Sequence, residues 1–391
     1  MISSKYFSAA YIVFLGYEAC MIFYSFRYVN YKIIRVSIFL FLLSMGSLSL
    51  RAQNSFKAFD ELLTPPKNYV IKHTKQALKV DGVLEEEDWQ KAAWTTDFVD
   101  IEGTRKPLPF YKTQVKMLWS DSVLYIAAQL QEPQIWATQL NHDDIIFKDN
   151  DFEIFIDPDG NGHDYFEIEI NALNKIFDLF IAKPYRNGGN ALFSWNVPGL
   201  KSAVKIDGTI NDANDIDKSW TIEMAIPLKT LYKGHPFKMP GEGDLWRLNF
   251  SRVQWDTKIS KGKNVKLKDA AGRELPERNW VWSPQGLIDM HYPERWGYLQ
   301  FTRQEGTEFK LPYQEHQKKY LWLVYYRQKQ HKAQFGKYAA TLKALGILAD
   351  QTIMGRANQL KMQTTSVQFT ASISVNAGKE IFINDDGLIH Q

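Results

Sequence analysis

"DFEIFIDPDGNGHDYFEIEIN", residues 151–171, holds seven carboxylates within what otherwise reads as two strands and a turn. Strand side chains alternate between faces, so Phe152, Ile154 and Ile156 share one side and Glu153, Phe155 and Asp157 the other. The returning strand repeats the pattern. Phe166, Ile168 and Ile170 point inward, while Tyr165, Glu167, Glu169 and Asn171 point outward. The expectation is a β-hairpin whose outer face, open to solvent, carries acids interleaved with the rings of Phe155 and Tyr165.

The turn "DPDGNG" matches the first six positions of a calcium loop, with Asp157, Asp159 and Asn161 as oxygen donors and Gly162 at the sharp bend. The bidentate Glu of an EF-hand would fall six residues later on Ile168, an inward residue, which excludes that motif. Two readings stay open: an Asp/Gly-rich turn, and a looser structural Ca2+ cage completed by Asp164. Catalysis is a third possibility for the hairpin. Glu153 and Glu167 on paired strands would meet the carboxyl spacings of glycoside hydrolysis. A general acid needs its pKa raised by burial or a like-charged neighbour, which an open face does not provide.

Other chemistries find less support. The eight histidines form no HxH or HExxH pair for zinc, and no GxSxG elbow is present. No GxGxxG or P-loop spacing occurs, so a dinucleotide cofactor is not expected.

Around the hairpin, residues 69–302 read as short strands separated by Gly, Pro, Asn and Asp, which predicts a mainly β, antiparallel β-sandwich. "DGVLEEEDWQKA" from Asp81 is the exception, with helical spacing of Leu84, Trp89 and Ala92. Residues 303–391 change character and predict a small α+β appendage. There "QEHQKKYLWLVYYRQKQHKAQ" suits a helix of about five turns, "GKYAATLKALG" suits a second short helix, and "SVQFTASISV" and "KEIFINDDGLIHQ" suit strands.

Residues 1–52 differ in kind. Lys32 and Arg35 precede the apolar run Val36–Leu50, and Ala52 is a small residue for cleavage, so an export signal is expected, followed by a linker over 53–68. A membrane anchor is the competing reading. Without those residues the 47 basic and 44 acidic side chains become 42 and 43, a formal charge of −1. A near-neutral chain lacks the basic footprint of a nucleic-acid binder. Its single cysteine, Cys20, lies in the removed part, so an exported protein here would hold together without disulfides.

"VDGVLEEEDWQKA", "VKMLWSDSVLYIAAQLQEP", "DNDFEIFIDPDGNGHDYFEIEINA", "SWTIEMAIPLKTL" and "PERWGYLQF", in that order, resemble family 9 carbohydrate-binding modules over residues 69–302. The resemblance implies a sandwich that binds polysaccharide or oligosaccharide, often with structural calcium, in an exported protein of the periplasm, cell surface or surrounding medium. The family's first stacking tryptophan corresponds to Phe147. The second falls where this chain has Met290 and His291. On chemical grounds Trp195, Trp255 and Tyr165 are further platforms, and Glu167, Glu169, Asn171, Arg252 and Gln254 are candidate partners for sugar hydroxyls. Besides a sugar-binding protein, an exported hydrolase using Glu153 and Glu167 and an adhesion domain without sugar binding are the alternatives.

Overall fold

In a computed structural model of the chain, residues 56, 59, 62–232, 238–375 and 378–391 are described. The expected export signal, 1–52, lies outside them, as do several residues of the linker. The chain divides into two units, and Phe59–Leu345 with Ala349–Gln391 form the larger. The smaller is Met1–Ala58 with Gly346–Leu348.

Among the described residues, fifteen strands precede residue 303. They are β1 (Asn68–His73), β2 (Val99–Asp100), β3 (Thr113–Trp119), β4 (Val123–Gln131), β5 (Asp151–Asp157), β6 (Tyr165–Asn171), β7 (Ile176–Ile181) and β8 (Ala191–Leu192), then β9 (Lys201–Asp207), β10 (Ser219–Pro227), β11 (Leu245–Gln254), β12 (Thr257–Ser260), β13 (Lys263–Lys266), β14 (Arg278–Val281) and β15 (Gly297–Thr302). Thirteen of them join one curled sheet in the order β8-β7-β6-β5-β11-β15-β1-β3-β4-β10-β9, with β14 and β2 branching from β11; β12 and β13 pair separately.

The curl makes a two-layered sandwich. β1 links the layers, running parallel to β15 along residues 68–72 and parallel to β3 at its last two residues. These two parallel pairings depart from the antiparallel expectation, which the other ladders follow. Alternating residues fill the space between layers: Phe152, Ile154 and Ile156 of β5, Phe166, Ile168 and Ile170 of β6, and Leu248 and Phe250 of β11 meet Met117, Ile126, Ile222 and Met224 from the opposite layer. Each such side chain contributes roughly 1.5–3 kcal/mol by leaving water. At the start of β15 a glycine is required, because a Cβ on Gly297 would lie 2.3 Å from the Trp282 ring.

The helix expected from Asp81 shrinks to α1 (Glu87–Lys91), whose buried Trp89 donates through Nε1 to Glu223 Oε1 at 2.9 Å. Residues 303–391 hold α2 (Tyr313–Phe335), ended by Gly336 in the left-handed region, and a five-stranded meander. Its strands are β16 (Asp350–Ile353), β17 (Arg356–Thr364), β18 (Phe369–Ser374), β19 (Ile381–Asn384) and β20 (Ile389–His390). The expected second helix is only a 3-10 turn, Leu342–Leu345. Among the described residues no helix is long and apolar enough to cross a membrane.

This tail docks on the tip of the β5–β6 hairpin. Ile389 N donates to Asn161 O at 3.0 Å, His163 Nε2 lies 3.0 Å from Asp386 O, and Lys318 Nζ donates to Gly160 O at 3.4 Å. Below that contact Arg247 pairs with Glu315 at 3.1 Å, and Arg186 forks onto both oxygens of Glu294 at 2.9 Å.

Candidate functional site

The predicted alternation holds in the hairpin. Glu153 sits directly opposite Glu169 and Phe155 opposite Glu167, all on the outer face. That face is not open. Glu153, Glu167 and Glu169 are only 6%, 5% and 2% exposed, so the expected solvated plane is corrected to the floor of a cleft. The enclosing segments are the turn Ile146–Lys148 just before β5 and, from farther along the chain, the loop after β7 and residues 288–291. No described residue of the tail lines the cleft.

The cleft encloses about 640 Å³. Its floor is Glu153, Glu167, Glu169, Phe155 and Phe177, and its walls carry Phe147, Tyr185, Phe193 and His291. Three wall rings keep exposed faces, Phe147 at 40%, Tyr185 at 42% and Phe193 at 58%. Phe193 stacks on Phe177 with centroids 5.9 Å apart and planes 9° from parallel; Tyr185 meets His291 edge-on at 4.4 Å. Glu169 Oε2 accepts the Phe147 amide at 3.0 Å, tying one wall ring to the floor.

Electrostatically the floor is unusual. Burial pushes the Glu153 carboxyl up to about 7. Burial, then the Glu153 charge, raises Glu167 and Glu169 well above the usual carboxylate range. Asp151, one pleat along, is raised well above it by burial, then by Glu153 and Glu169. His291 goes the other way: burial and the Arg186 cation lower it to about 4, which leaves a neutral imidazole whose Nδ1 is 3.0 Å from the Tyr165 hydroxyl.

Of the residues singled out in the sequence, Phe147, Glu153, Glu167, Glu169 and His291 come together here, with Met290 beside them. Others do not. Tyr165 is fully buried, its ring edge-on to Trp296 at 5.2 Å, in an apolar cluster with Phe155 and Met290. Trp195 is 7% exposed and packs at 4.9 Å from Phe166 between the layers. Trp255 is half-buried, donates to Phe147 O at 2.9 Å and has Lys266 Nζ 3.2 Å over its ring, so it steadies the wall instead of offering a platform.

Arg252 and Gln254 are buried and bonded to each other, Arg252 pairing with Glu132 at 2.8 Å; both are structural. Asn171 caps local backbone, its Oδ1 accepting from Leu173 N and Lys175 N. Sequence reasoning missed Tyr185 and Phe193. Phe193 lies two residues before the Trp195 that drew attention, and a ring beside the Gly188-Gly189 loop was its only signal.

The hairpin tip serves the turn. Asp157 accepts the amides of Gly160 and Gly162 at 2.9 Å each, Asp159 Oδ1 accepts Asn161 N at 3.1 Å, and Asn161 Oδ1 accepts His163 N at 2.7 Å. Asp164 takes φ 50°, the left-handed conformation such turns use. The carboxylates whose oxygens converge lie elsewhere. Those of Asp151, Glu153 and Glu169 fall within 4.8 Å of one another, and Asp157, Asp159 and Asp164 form no such group.

The family described as "Carbohydrate family 9 binding domain-like" matches residues 80–280, just over half of the chain. No curated protein matches it. Among solved structures, a candidate carbohydrate-binding protein from Bacteroides uniformis ATCC 8492 is similar at 16% identity and TM-score 0.46, covering 61% of this chain and 100% of its own. A family 9 carbohydrate-binding module from Caldicellulosiruptor kristjanssonii in complex with cellotriose is similar at 14% identity and TM-score 0.38, over 63% of this chain and 100% of its own. The same organism's module in complex with glucose gives 13%, 0.39, 62% and 100%. By the family match, supported by the two-layered β-fold and the order of its motifs, this chain belongs to the carbohydrate family 9 binding domain-like family.

Proposed function

We propose that the chain binds a poly- or oligosaccharide in the cleft over β5 and β6, as an exported protein supporting polysaccharide breakdown. One observation carries the reading: three partly exposed rings, Phe147, Tyr185 and Phe193, stand around a floor of carboxylates in a cleft of about 640 Å³. Rings stack on the C–H faces of pyranoses while buried acids bond their hydroxyls, the mixture of apolar walls and few polar groups that small-molecule sites use. Export is carried by the residues before 53.

A glycan array followed by calorimetry on the hits tests it. Phe147→Ala is expected to weaken affinity several-fold without lowering the melting temperature. Absence of any glycan binding, or unchanged affinity in this variant, overturns the assignment.

The hydrolase reading gains from one observation. Burial holds Glu153 near 7, the range in which a carboxyl acts as general acid at neutral pH. Reducing-sugar release that disappears in Glu153→Gln would favour it over binding alone.

A further inference from the structure

Four acids, Asp151, Glu153, Glu167 and Glu169, meet beneath the cleft with no base among them. The charges acting on each are those of other acids. Elsewhere in this molecule buried carboxylates have donors: Glu132 and Glu294 have arginines, Arg252 and Arg186, while Asp157 accepts two backbone amides and Glu223 accepts Trp89 and two backbone amides. Here Asp151 Oδ2 and Glu167 Oε2 are buried and accept no hydrogen bond, although both residues are at least nine-tenths buried. Glu167 stands outside the converging trio and lines the same cavity as Glu153 and Glu169. Buried acceptors without donors are costly, so the arrangement lacks a positive occupant.

The geometry fits one kind. Ligand oxygens on opposite sides of Ca2+, at about 2.3–2.6 Å each, are separated by about 4.6–5.2 Å, and the trio's oxygens lie within 4.8 Å of one another. An all-oxygen, sulfur-free and nitrogen-free set selects hard cations. Mg2+, at about 2.0–2.1 Å, demands a tighter octahedron than strands fixed by a ladder readily provide. Glu153 and Glu169 open onto the cavity, and Asp151 lies below them, absent from the lining.

We propose that the floor of the cleft is a calcium site in which Asp151, Glu153 and Glu169 hold the ion from below, with Glu167 beside it. Its upward coordination positions take two neighbouring hydroxyl oxygens of a bound sugar. The second half of this assignment rests on the carbohydrate reading above; the ion site does not. It moves calcium from the hairpin tip, where the sequence pattern points, to the ladder between β5 and β6.

Calcium chloride titrated into the EDTA-treated full chain at neutral pH, read by calorimetry and thermal denaturation, tests the ion. One Ca2+ per chain and a raised melting temperature are expected. Glu169→Gln should weaken Ca2+ affinity at least tenfold, with Asp159→Asn at the hairpin tip unchanged. Glu153→Gln repeats the test if Glu169→Gln does not fold. No binding heat with no thermal shift overturns the site, as does loss of Ca2+ affinity in Asp159→Asn with Glu169→Gln unaffected.

Glycan binding is then compared in Ca2+ and in EDTA. Binding lost in EDTA and restored by Ca2+ supports the bridging role. Binding indifferent to EDTA overturns the bridge and leaves the carbohydrate reading standing. Ca2+ bound with no glycan recognised in either buffer overturns the carbohydrate reading and the bridge, and supports the ion site alone.

Discussion

Glu132, just past the end of β4, and Glu153 of β5 are both buried acids, yet their surroundings are opposite. Glu132 accepts from Arg252 Nη2 at 2.8 Å and from Asn150 Nδ2 at 3.1 Å, and the same guanidinium donates to Thr113 Oγ1 at 3.0 Å. The Arg252 guanidinium also sits 5.4 Å from the Trp280 ring and 5.6 Å from that of Tyr111. Glu153 meets Asp151, Glu167 and Glu169 instead. A buried acid with an arginine partner is part of the scaffold, whereas one of similar burial among other acids marks where something from outside is accommodated.

Breaking the compensated pair should have the largest effect. Arg252→Met strands Glu132 and is expected to destabilise the fold by roughly 3–5 kcal/mol; a denaturant midpoint little changed from that of the parent would erase the distinction between the two acids. Next comes His291, on the cleft wall. It ionises at about 4 when folded but at an ordinary 6.5 when unfolded, so its contribution is complete above pH 6.5 and is lost as pH falls towards 4. The loss amounts to about 3 kcal/mol. His291→Gln should flatten that part of the stability profile, and an identical acid limb in both proteins would show that another group is responsible.

The smallest effect belongs to the hairpin tip. Gly162 has φ 87°, and a Cβ there would lie 3.3 Å from Gly387 O and 3.6 Å from Trp322. Gly162→Ala should cost about 1–2 kcal/mol through backbone strain and the crowded tail contact. If the melting temperature is unmoved while hydrogen exchange of Ile389 is also unchanged, the tail is not clasped there.

What could be read from the sequence was what depends on neighbours along the chain. Period-two alternation placed Phe152, Ile154 and Ile156 inside and Glu153, Glu167 and Glu169 on the other side, and helical spacing found α2. What covers a face is non-local. The burial of Glu167 depends on Tyr185 and on residues 288–291, and the partner of Arg252 stands 120 positions away. Trp195 and Phe193 have the same local chemistry and are separated by two residues, yet one is core and the other cleft wall, because a turn intervenes. β17 escaped notice because only Ala357's neighbour Asn358 and Leu360 are buried along "RANQLKMQT", leaving almost no apolar stripe.

The clasp at the hairpin tip also sets a schedule. His163 rests against the carbonyl of Asp386, made 223 positions later. At ribosomal speeds of about 5–20 residues per second the hairpin emerges roughly 10–45 s before its clasp exists. Through that interval the ligand-facing strands must keep their register without the tail, relying on the ladder from β11 and on the apolar layer beneath, so synthesis order itself places the acid floor on the self-sufficient part of the molecule.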